Sequence, residues 1–331
     1  MYAEVIGLTT KEKLLELFEN NKGIYFSGEE IAENLSVSRA AVWKAVKDLQ
    51  SKGYNIDAIR NKGYSLSAQT DIISVQGIEK YLNPACKNLK IEVVQSTNST
   101  NAIIREKAIN GAPEGYTVIA NMQTDGKGRR GRKFFSPADS GVYMSILLRP
   151  MHCTASQAVN ITTMASVAVC EAIEAVSGKQ AQIKWVNDIY VSEKKVCGIL
   201  TEASIGLEDG FLEYVVLGVG INVSPPKVGF PDDIKNVAGA VFTQPQSDSK
   251  NHLASEFLNR FISYYSEFPK TSYIDEYRKR SFVVGKKIHV ISNGTYKNAN
   301  VLGIDDECRL IVKYEDDNIE ALSSGEISIK L

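Results

Sequence analysis

Two strand-length apolar runs, IYVS from Ile189 and VCGILTEAS from Val196, are separated only by Glu-Lys-Lys. So short a link admits only an antiparallel hairpin. KIEVV, YTVIANMQ, GVYMSILLRP, QIKWV and EYVVLGVGINVS supply further strands, but helical segments intervene: Ser99 to Asn110, closed by Gly111, and Thr154 to Ser177. Hairpins beside helical crossovers predict a mixed sheet covered by helices, α+β rather than wholly parallel.

The chain before this region has a different rhythm. Leu14, Leu17 and Phe18 line one helix that Gly23 ends; Ser27 and Glu30 form a capping box for a short helix through Ile31 and Leu35. After a tight Ser-Val-Ser turn, Ser38 caps a third helix. There Val42, Val46 and Leu49 face inward while Arg39, Trp43, Lys44 and Lys47 point elsewhere. YNIDAIRNKGYSLS then alternates around Asn61, Lys62 and Gly63 as a two-stranded wing. From Ser36 to Gly63 the basic residues are Arg39, Lys44, Lys47, Lys52, Arg60 and Lys62, against Asp48 and Asp57. A winged helix-turn-helix needs this arrangement, with a helix for the major groove and flanking cations for phosphates. Ser38, Arg39, Trp43, Lys44, Lys47 and Lys62 are the candidate DNA contacts. The plainer reading is a three-helix interaction module with a solvated charged face.

A polar stretch, SAQTDI, links this head to the rest. Beyond helices from roughly Asn251 to Arg280, short alternating strands broken by SNGT, DDE and EDD suit a small barrel. The expected domains are 1–68, 69–280 and 281–331. With 331 residues, more than one core is required.

Lys and Arg total 38 and Asp and Glu 39, giving a formal charge of −1, so attraction to nucleic acid has to come from local patches. The charged N-terminal stretch is unlike a signal peptide, and no later segment reads as long enough to span a bilayer, which predicts a cytoplasmic protein. Five scattered cysteines read as reduced thiols, and His152, His252 and His289 stand too far apart in sequence to suggest structural zinc.

The densest chemical feature is the loop from Gln123 to Lys133. Gly126, Gly128 and Gly131 free the backbone, while Lys127, Arg129, Arg130, Arg132 and Lys133 concentrate positive charge. It lacks the hydroxyl residue and following helix of a GxxxxGK[ST] phosphate loop. A polyanion site, an RGG-like nucleic-acid arm and a solvated loop all remain open on this feature alone. Ser96, Thr97 and Asn98 lie between strand and helix, where such residues bind polar ligands or cap the helix. Lys184-Trp185-Val186-Asn187-Asp188 and Lys195-Val196-Cys197-Gly198 flank the hairpin, and Gly218-Val219-Gly220-Ile221-Asn222 ends a strand, where glycines more often serve packing.

In this order and spacing the segments resemble the biotin protein ligase family, in its bifunctional form that also represses biotin genes. The resemblance spans head, catalytic domain and C-terminal barrel. The family's GRGRRG has Lys127 for one arginine here, its KWPND has Val186 for proline, and its usual tryptophan after the loop is Phe134. The resemblance implies a class II synthetase-like mixed sheet and an SH3-like barrel. It implies ATP, biotin and Mg²⁺ as small partners, with biotinyl-5′-AMP formed and its biotin transferred to a carrier-protein lysine. Arg129, Lys195 and Asp188 would be catalytic, Asp188 also holding Mg²⁺. Ser96, Thr97, Asn98, Gln123, Lys127, Gly128, Arg129, Lys195, Gly198 and Gly220 would meet biotin. Arg130, Arg132, Asn187, Asp188 and Asn222 would meet ATP. A biotin carboxyl carrier protein, operator DNA and a second copy of the chain are the implied macromolecular partners, with no membrane. A lipoate-type ligase, or a biotin-sensing regulator without transfer activity, is the alternative.

Overall fold

The computed structural model describes residues 7–154, 157–206, 210–292, 295–323 and 326–329. They form two compact units: Met1–Leu82 with Gln246–Ser255, and Asn83–Pro245 with Glu256–Leu331.

In the first unit, α1 (Thr10–Asn20) and α2 (Gly28–Leu35) each start at a capping box, Thr9 with Glu12 and Ser27 with Glu30. Ser36 turns the chain in a left-handed conformation, and Ser38 Oγ accepts the Ala41 N–H to open α3 (Arg39–Ser51). Leu14, Phe18, Ile31, Val42, Val46 and Leu49 are buried together. Arg39, Trp43, Lys44 and Lys47 are exposed on the opposite side of α3, as the helical period requires. The wing is β1 (Ile56–Ile59) paired antiparallel with β2 (Gly63–Leu66), and its turn exposes Arg60 and Lys62. Gly63 has φ +98°, and a Cβ there would run into the Phe26 carbonyl, so only glycine fits where Phe26 joins Tyr64.

The polar stretch after the wing is not a bare tether. It leads to α4 (Val75–Glu79), and residues up to Leu82 pack in this unit together with the start of α7 (Ser249–Tyr265). The contact is ionic. Lys22 meets Glu19 at 3.0 Å and Asp248 at 2.8 Å; Lys80 meets Glu19 at 3.1 Å and Asp248 at 2.5 Å. Tyr81 and Asn251 also donate to Asp248. Burial pushes the Asp248 carboxyl up, but hydrogen bonds from Lys22, Lys80, Asn251 and Tyr81 outweigh it and hold the group below its ordinary value.

The second unit is built on a seven-stranded sheet of β3 (Lys90–Val94), β4 (Tyr116–Ala120), β5 (Gly141–Leu148), β6 (Gln182–Lys184), β7 (Asp188–Val191), β8 (Lys194–Ile205) and β9 (Leu212–Asn222). Its order is β3-β4-β5-β9-β8-β7-β6, parallel only between β3 and β4. The hairpin that anchors the sequence reading closes over just Ser192 and Glu193, both at positive φ, and Lys194 and Lys195 already belong to the strand. α5 (Thr100–Ile109) and α6 (Ala158–Ser177) cover opposite faces, because Asn101 meets Glu202 and Thr162 meets Thr201, neighbours in β8 that point opposite ways.

One expectation is corrected here: α6, at 20 residues, is long and apolar enough to cross a membrane by length and composition. Two-thirds of its apolar window (67%) is buried inside the protein, which makes it a core helix.

α8 (Ile274–Arg280) precedes a five-stranded antiparallel sheet of β10 (Lys287–Ser292), β11 (Thr295–Ile304), β12 (Leu310–Tyr314), β13 (Ile319–Leu322) and β14 (Glu326–Ile329), in the order β13-β12-β11-β10-β14. The predicted DDE and EDD breaks fall between strands; Asn293 and Gly294 of the SNGT break lie outside the described residues.

Removing Asp248 would leave Lys22 and Lys80 buried against one carboxylate. Asp248→Ala is therefore expected to cost about 3 kcal/mol or more, read by denaturant unfolding of the first unit. Because Asp248 titrates below its unfolded value, its contribution is present at neutral pH and is lost as the medium acidifies through the folded-state value. The wild-type and variant stabilities should converge in acid.

Candidate active site

β8 and β9 pair so that Gly198 lies opposite Gly220 and Leu200 opposite Gly218. By strand alternation these residues point to the face that α5 covers. Three of the four have no side chain, and the space is used. A Cβ on Gly220 would sit 2.5 Å from the Phe134 ring, one on Gly198 3.2 Å from it, and one on Gly218 would strike the Asn101 carboxamide. Packing thus accounts for these glycines: the strip seats Phe134 and the first turn of α5. It forms the floor of a cavity of about 440 Å³.

One wall begins at the start of α5. Ser99 occupies the N-cap position without a side-chain cap; the helix's first amide, on Thr100, donates instead to Gln123 Oε1 at 2.9 Å. Gln123 Nε2 in turn donates to Ser136 Oγ at 3.0 Å. Ser145 beneath donates to Thr100 Oγ1 and Asn101 Oδ1. Ser-Thr-Asn occurs twice in succession here, and the lining residues are Ser99, Thr100 and Asn101. The earlier copy is not among them. Ser96 and Asn98 are exposed, and Asn98 Oδ1 accepts from Ser99 N–H and Thr97 Oγ1. A tandem repeat gives two registers differing by three residues, and only the helix start distinguishes them.

The basic loop is a closed arch. Phe134 N–H donates to the Gly126 carbonyl at 2.8 Å and Gly128 N–H to the Arg132 carbonyl at 2.8 Å. Arg130 (φ 55°) and Gly131 (φ 72°) make the left-handed bend at its tip. Arg129 Nη1 donates to Asn187 Oδ1 at 3.1 Å, and Asn187 Nδ2 donates to the Ile199 carbonyl. Lys195 pairs with Asp188 at 2.6 Å. Burial, with Asp188 close by, pushes the Tyr190 hydroxyl up to about 12.

Asn187 and Asp188 are aimed by the segment before them. Trp185 Nε1 donates to the Cys308 carbonyl at 2.9 Å and Tyr277 donates to the Val186 carbonyl at 3.0 Å. The Trp185–Val186 peptide is cis.

Lys127, Arg129, Arg130, Arg132, Lys133, Lys184 and Lys195 line the cavity, against Asp188 and Asp233. Such an excess of cations around polar and apolar walls suits an anion attached to an uncharged body. Gln123, Gly128, Asn187, Gly198, Gly220 and Asn222 also line it. Phe230, Asp233, Ile234, Val237 and Ala238 complete another wall that the sequence reading left out. Their segment, PPKVGFPDDIKNVAG, has neither strand nor helix period and no motif to mark it. Among the described residues no cluster of three or more His, Cys, Asp or Glu could hold a metal by itself. Asp188 is a single carboxylate already on Lys195, so it fits Mg²⁺ only as one protein ligand beside phosphates and water.

Comparison with known proteins follows this division of the chain. Residues 91–222 match the biotin/lipoate A/B protein ligase family, 10–65 an HTH domain and 283–330 the biotin protein ligase C-terminal domain. The bifunctional ligase/repressor BirA of Bacillus spizizenii is 32% identical over 97% of this chain and 99% of its own. That of Escherichia coli is 26% identical over 97% and 98%. A biotin protein ligase from Aquifex aeolicus, solved in complex with biotin and ATP, shares the fold. Its TM-score is 0.60 at 24% identity, covering 73% of this chain and 98% of that one.

Gly220→Ala should push Phe134 off the floor and weaken biotin binding by about tenfold, near 1.4 kcal/mol, in titration calorimetry. Gly220→Ala with Phe134→Leu should recover part of that loss; wild-type affinity in the single variant would show the floor does not set the cavity.

Proposed function

This chain belongs to the biotin protein ligase family, in its branch of bifunctional ligase/repressors, and from that premise we propose how its residues divide the work. It makes biotinyl-5′-AMP from biotin and ATP, passes biotin to a lysine of a partner protein, and carries a DNA-binding repressor head. The observation that carries the residue assignments is the convergence of the basic loop, Lys184, Lys195 and the Asn187–Asp188 pair on one cavity with a polar wall.

In the first step a biotin carboxylate oxygen attacks the α-phosphorus of ATP and pyrophosphate leaves. The obstacle is repulsion between anions, and cations held in place beforehand lower it. Lys195, kept in position by Asp188, and Arg129, held by Asn187, face that developing charge. Arg130 and Arg132 hold the phosphates, Lys127 lies on the biotin side of the loop, and Asn222 lies at the nucleotide end. Asp188 would serve as one ligand to a Mg²⁺ ion accompanying ATP, which would neutralise phosphate charge. The uncharged ureido ring meets Gln123 and the Ser-Thr-Asn triplet; cavity lining favours Ser99, Thr100 and Asn101 over Ser96, Thr97 and Asn98. Phe134 over Gly198 and Gly220 gives the aliphatic tail an apolar surface.

In the second step a neutral lysine amine of the acceptor attacks the biotinyl carbonyl and AMP leaves. The mixed anhydride survives until then because the arch from Gly126 to Phe134 keeps water from it. The acceptor is a biotin carboxyl carrier protein, and the reaction takes place in the cytoplasm. With adenylate bound the chain pairs with a second copy, so that two heads meet two operator half-sites.

Lys195→Ala and Arg129→Gly separate the two duties. Lys195→Ala should lower pyrophosphate release from biotin and ATP by at least about a hundredfold, in a chain that still melts like wild type. Arg129→Gly should form adenylate more slowly and shed it at least about tenfold faster, measured by rapid gel filtration. Normal release by the first, or wild-type retention by the second, would overturn the corresponding role. For the head, Lys44→Ala with Lys47→Ala should weaken operator binding and reduce its salt slope by about two, leaving biotinylation of the carrier unchanged.

A further inference from the structure

Lys194 and Lys195 are consecutive in β8, so their side chains leave the strand in opposite directions. Lys195 turns to Asp188. Lys194 reaches out of the strand, and its Nζ donates to the backbone carbonyl of Asn236 at 2.6 Å. Asn236 belongs to the segment that supplies the cavity wall of Phe230, Asp233, Ile234, Val237 and Ala238. That segment has little apolar burial: Pro231, Asp232, Asp233, Lys235, Asn236 and Val237 are all exposed. Within it, the Pro231 carbonyl accepts from the Ile234 and Lys235 amides. Outside it, the ties are to the start of β8 and the end of β9. Lys195 N–H donates to the Val237 carbonyl at 2.8 Å, Gly239 N–H to the Lys195 carbonyl at 2.9 Å, and Asn222 Nδ2 to the Gly239 carbonyl at 3.0 Å. Gly239 passes so close to the stem of Lys194 that a Cβ there would strike it. The lysine thus touches the segment twice, by its ammonium and by its stem.

We propose that Lys194 is a positioning residue, which fixes the 230–239 segment as a wall of the ligand cavity and thereby sets how long the nucleotide-bearing ligand stays. The role rests on the ligase reading for its ligand, but not for its geometry. A segment whose residues are mostly exposed opens easily, so one charged hydrogen bond and one close backbone contact shift its opening measurably.

Three variants test this in the full chain. Lys194→Met keeps the stem and removes the donor, Lys194→Arg returns a donor, and Gly239→Ala forces the backbone off the stem. Hydrogen exchange of the Ala238 and Gly239 amides is read first, without ligand. It should speed up about tenfold in Lys194→Met and Gly239→Ala and stay close to wild type in Lys194→Arg. The first two variants should raise the rate of adenylate release, and KM for ATP in biotinylation of an apo carrier, by about five- to tenfold, with kcat for carrier biotinylation at saturation unchanged. Unchanged exchange in both variants overturns the clamp. Faster exchange with unchanged KM and release overturns its role in ligand retention, as does a fall in kcat alone. Should the wild-type chain release no pyrophosphate from biotin and ATP, the ligase reading fails, and the exchange measurement still decides whether Lys194 holds the wall.

Discussion

The candidate site depends on a strip of sheet that lacks side chains. Gly198, Gly218 and Gly220 are neighbours across β8 and β9, and each is overlaid by a group that a methyl would displace. Phe134 over Gly198 and Gly220 anchors the end of the basic arch, and Asn101 over Gly218 anchors the start of α5. The arch carries the cations and α5 carries the polar wall, so both are referred to one rigid surface. Central strands tolerate such glycines because their ladder hydrogen bonds and flanking apolar residues, Val219 and Ile221 among them, hold the backbone in place.

That surface lets like charges gather. Seven cations lining one cavity repel one another, and the protein meets this locally, through Asp188 on Lys195 and the Asn187 amide oxygen on Arg129. Asp188 offsets one of these charges and Asn187 none, so a net positive field remains, and each partner also fixes a direction. A ligand whose own negative charge grows during reaction finds donors already oriented, which is where a preorganised site gains over water. The first unit handles charge differently. There Glu19, Lys22, Lys80 and Asp248 match two against two in a buried cluster, so the ions hold segments together and leave no net field for a ligand.

Local regularities made much of this legible in the sequence. Capping at Ser27 and Ser38, the inward stripe of Val42, Val46 and Leu49, and the mixed sheet all follow from short-range pattern, and the structure has them. What escaped depends on long-range contact or on degeneracy. The stretch after the wing reads as a linker because the partners of Thr70 and Asp71, Asp248 to Lys250, lie far away in the chain, and such polar contacts leave no periodic trace. The wall at Phe230 to Ala238 escaped for a similar reason, being a loop defined by what it leans on. Ser-Thr-Asn occurs in two tandem copies; the sequence reading takes Ser96 to Asn98, whereas the copy lining the cavity is Ser99 to Asn101, at the start of α5. The hairpin turn falls on Ser192 and Glu193 and not on Glu-Lys-Lys, because these two adopt positive φ without the glycine or asparagine that usually signals it.

A formal charge of −1 hides two basic surfaces, one on α3 and the wing, the other around the arch. Near-neutrality is compatible with both because electrostatic influence at physiological salt decays over about 8 Å. What an approaching anion meets is the local arrangement, and the two arrangements suit different anions. The exposed Arg39, Lys44 and Lys47 lie on one helix surface beside the indole of Trp43, a spacing that follows an extended backbone of phosphates. The arch cations instead surround a concave space of about 440 Å³, which fits a compact anion with an organic body. Helix against cavity, and not the amount of charge, is what lets one chain of ordinary composition address both a polymer and a small molecule.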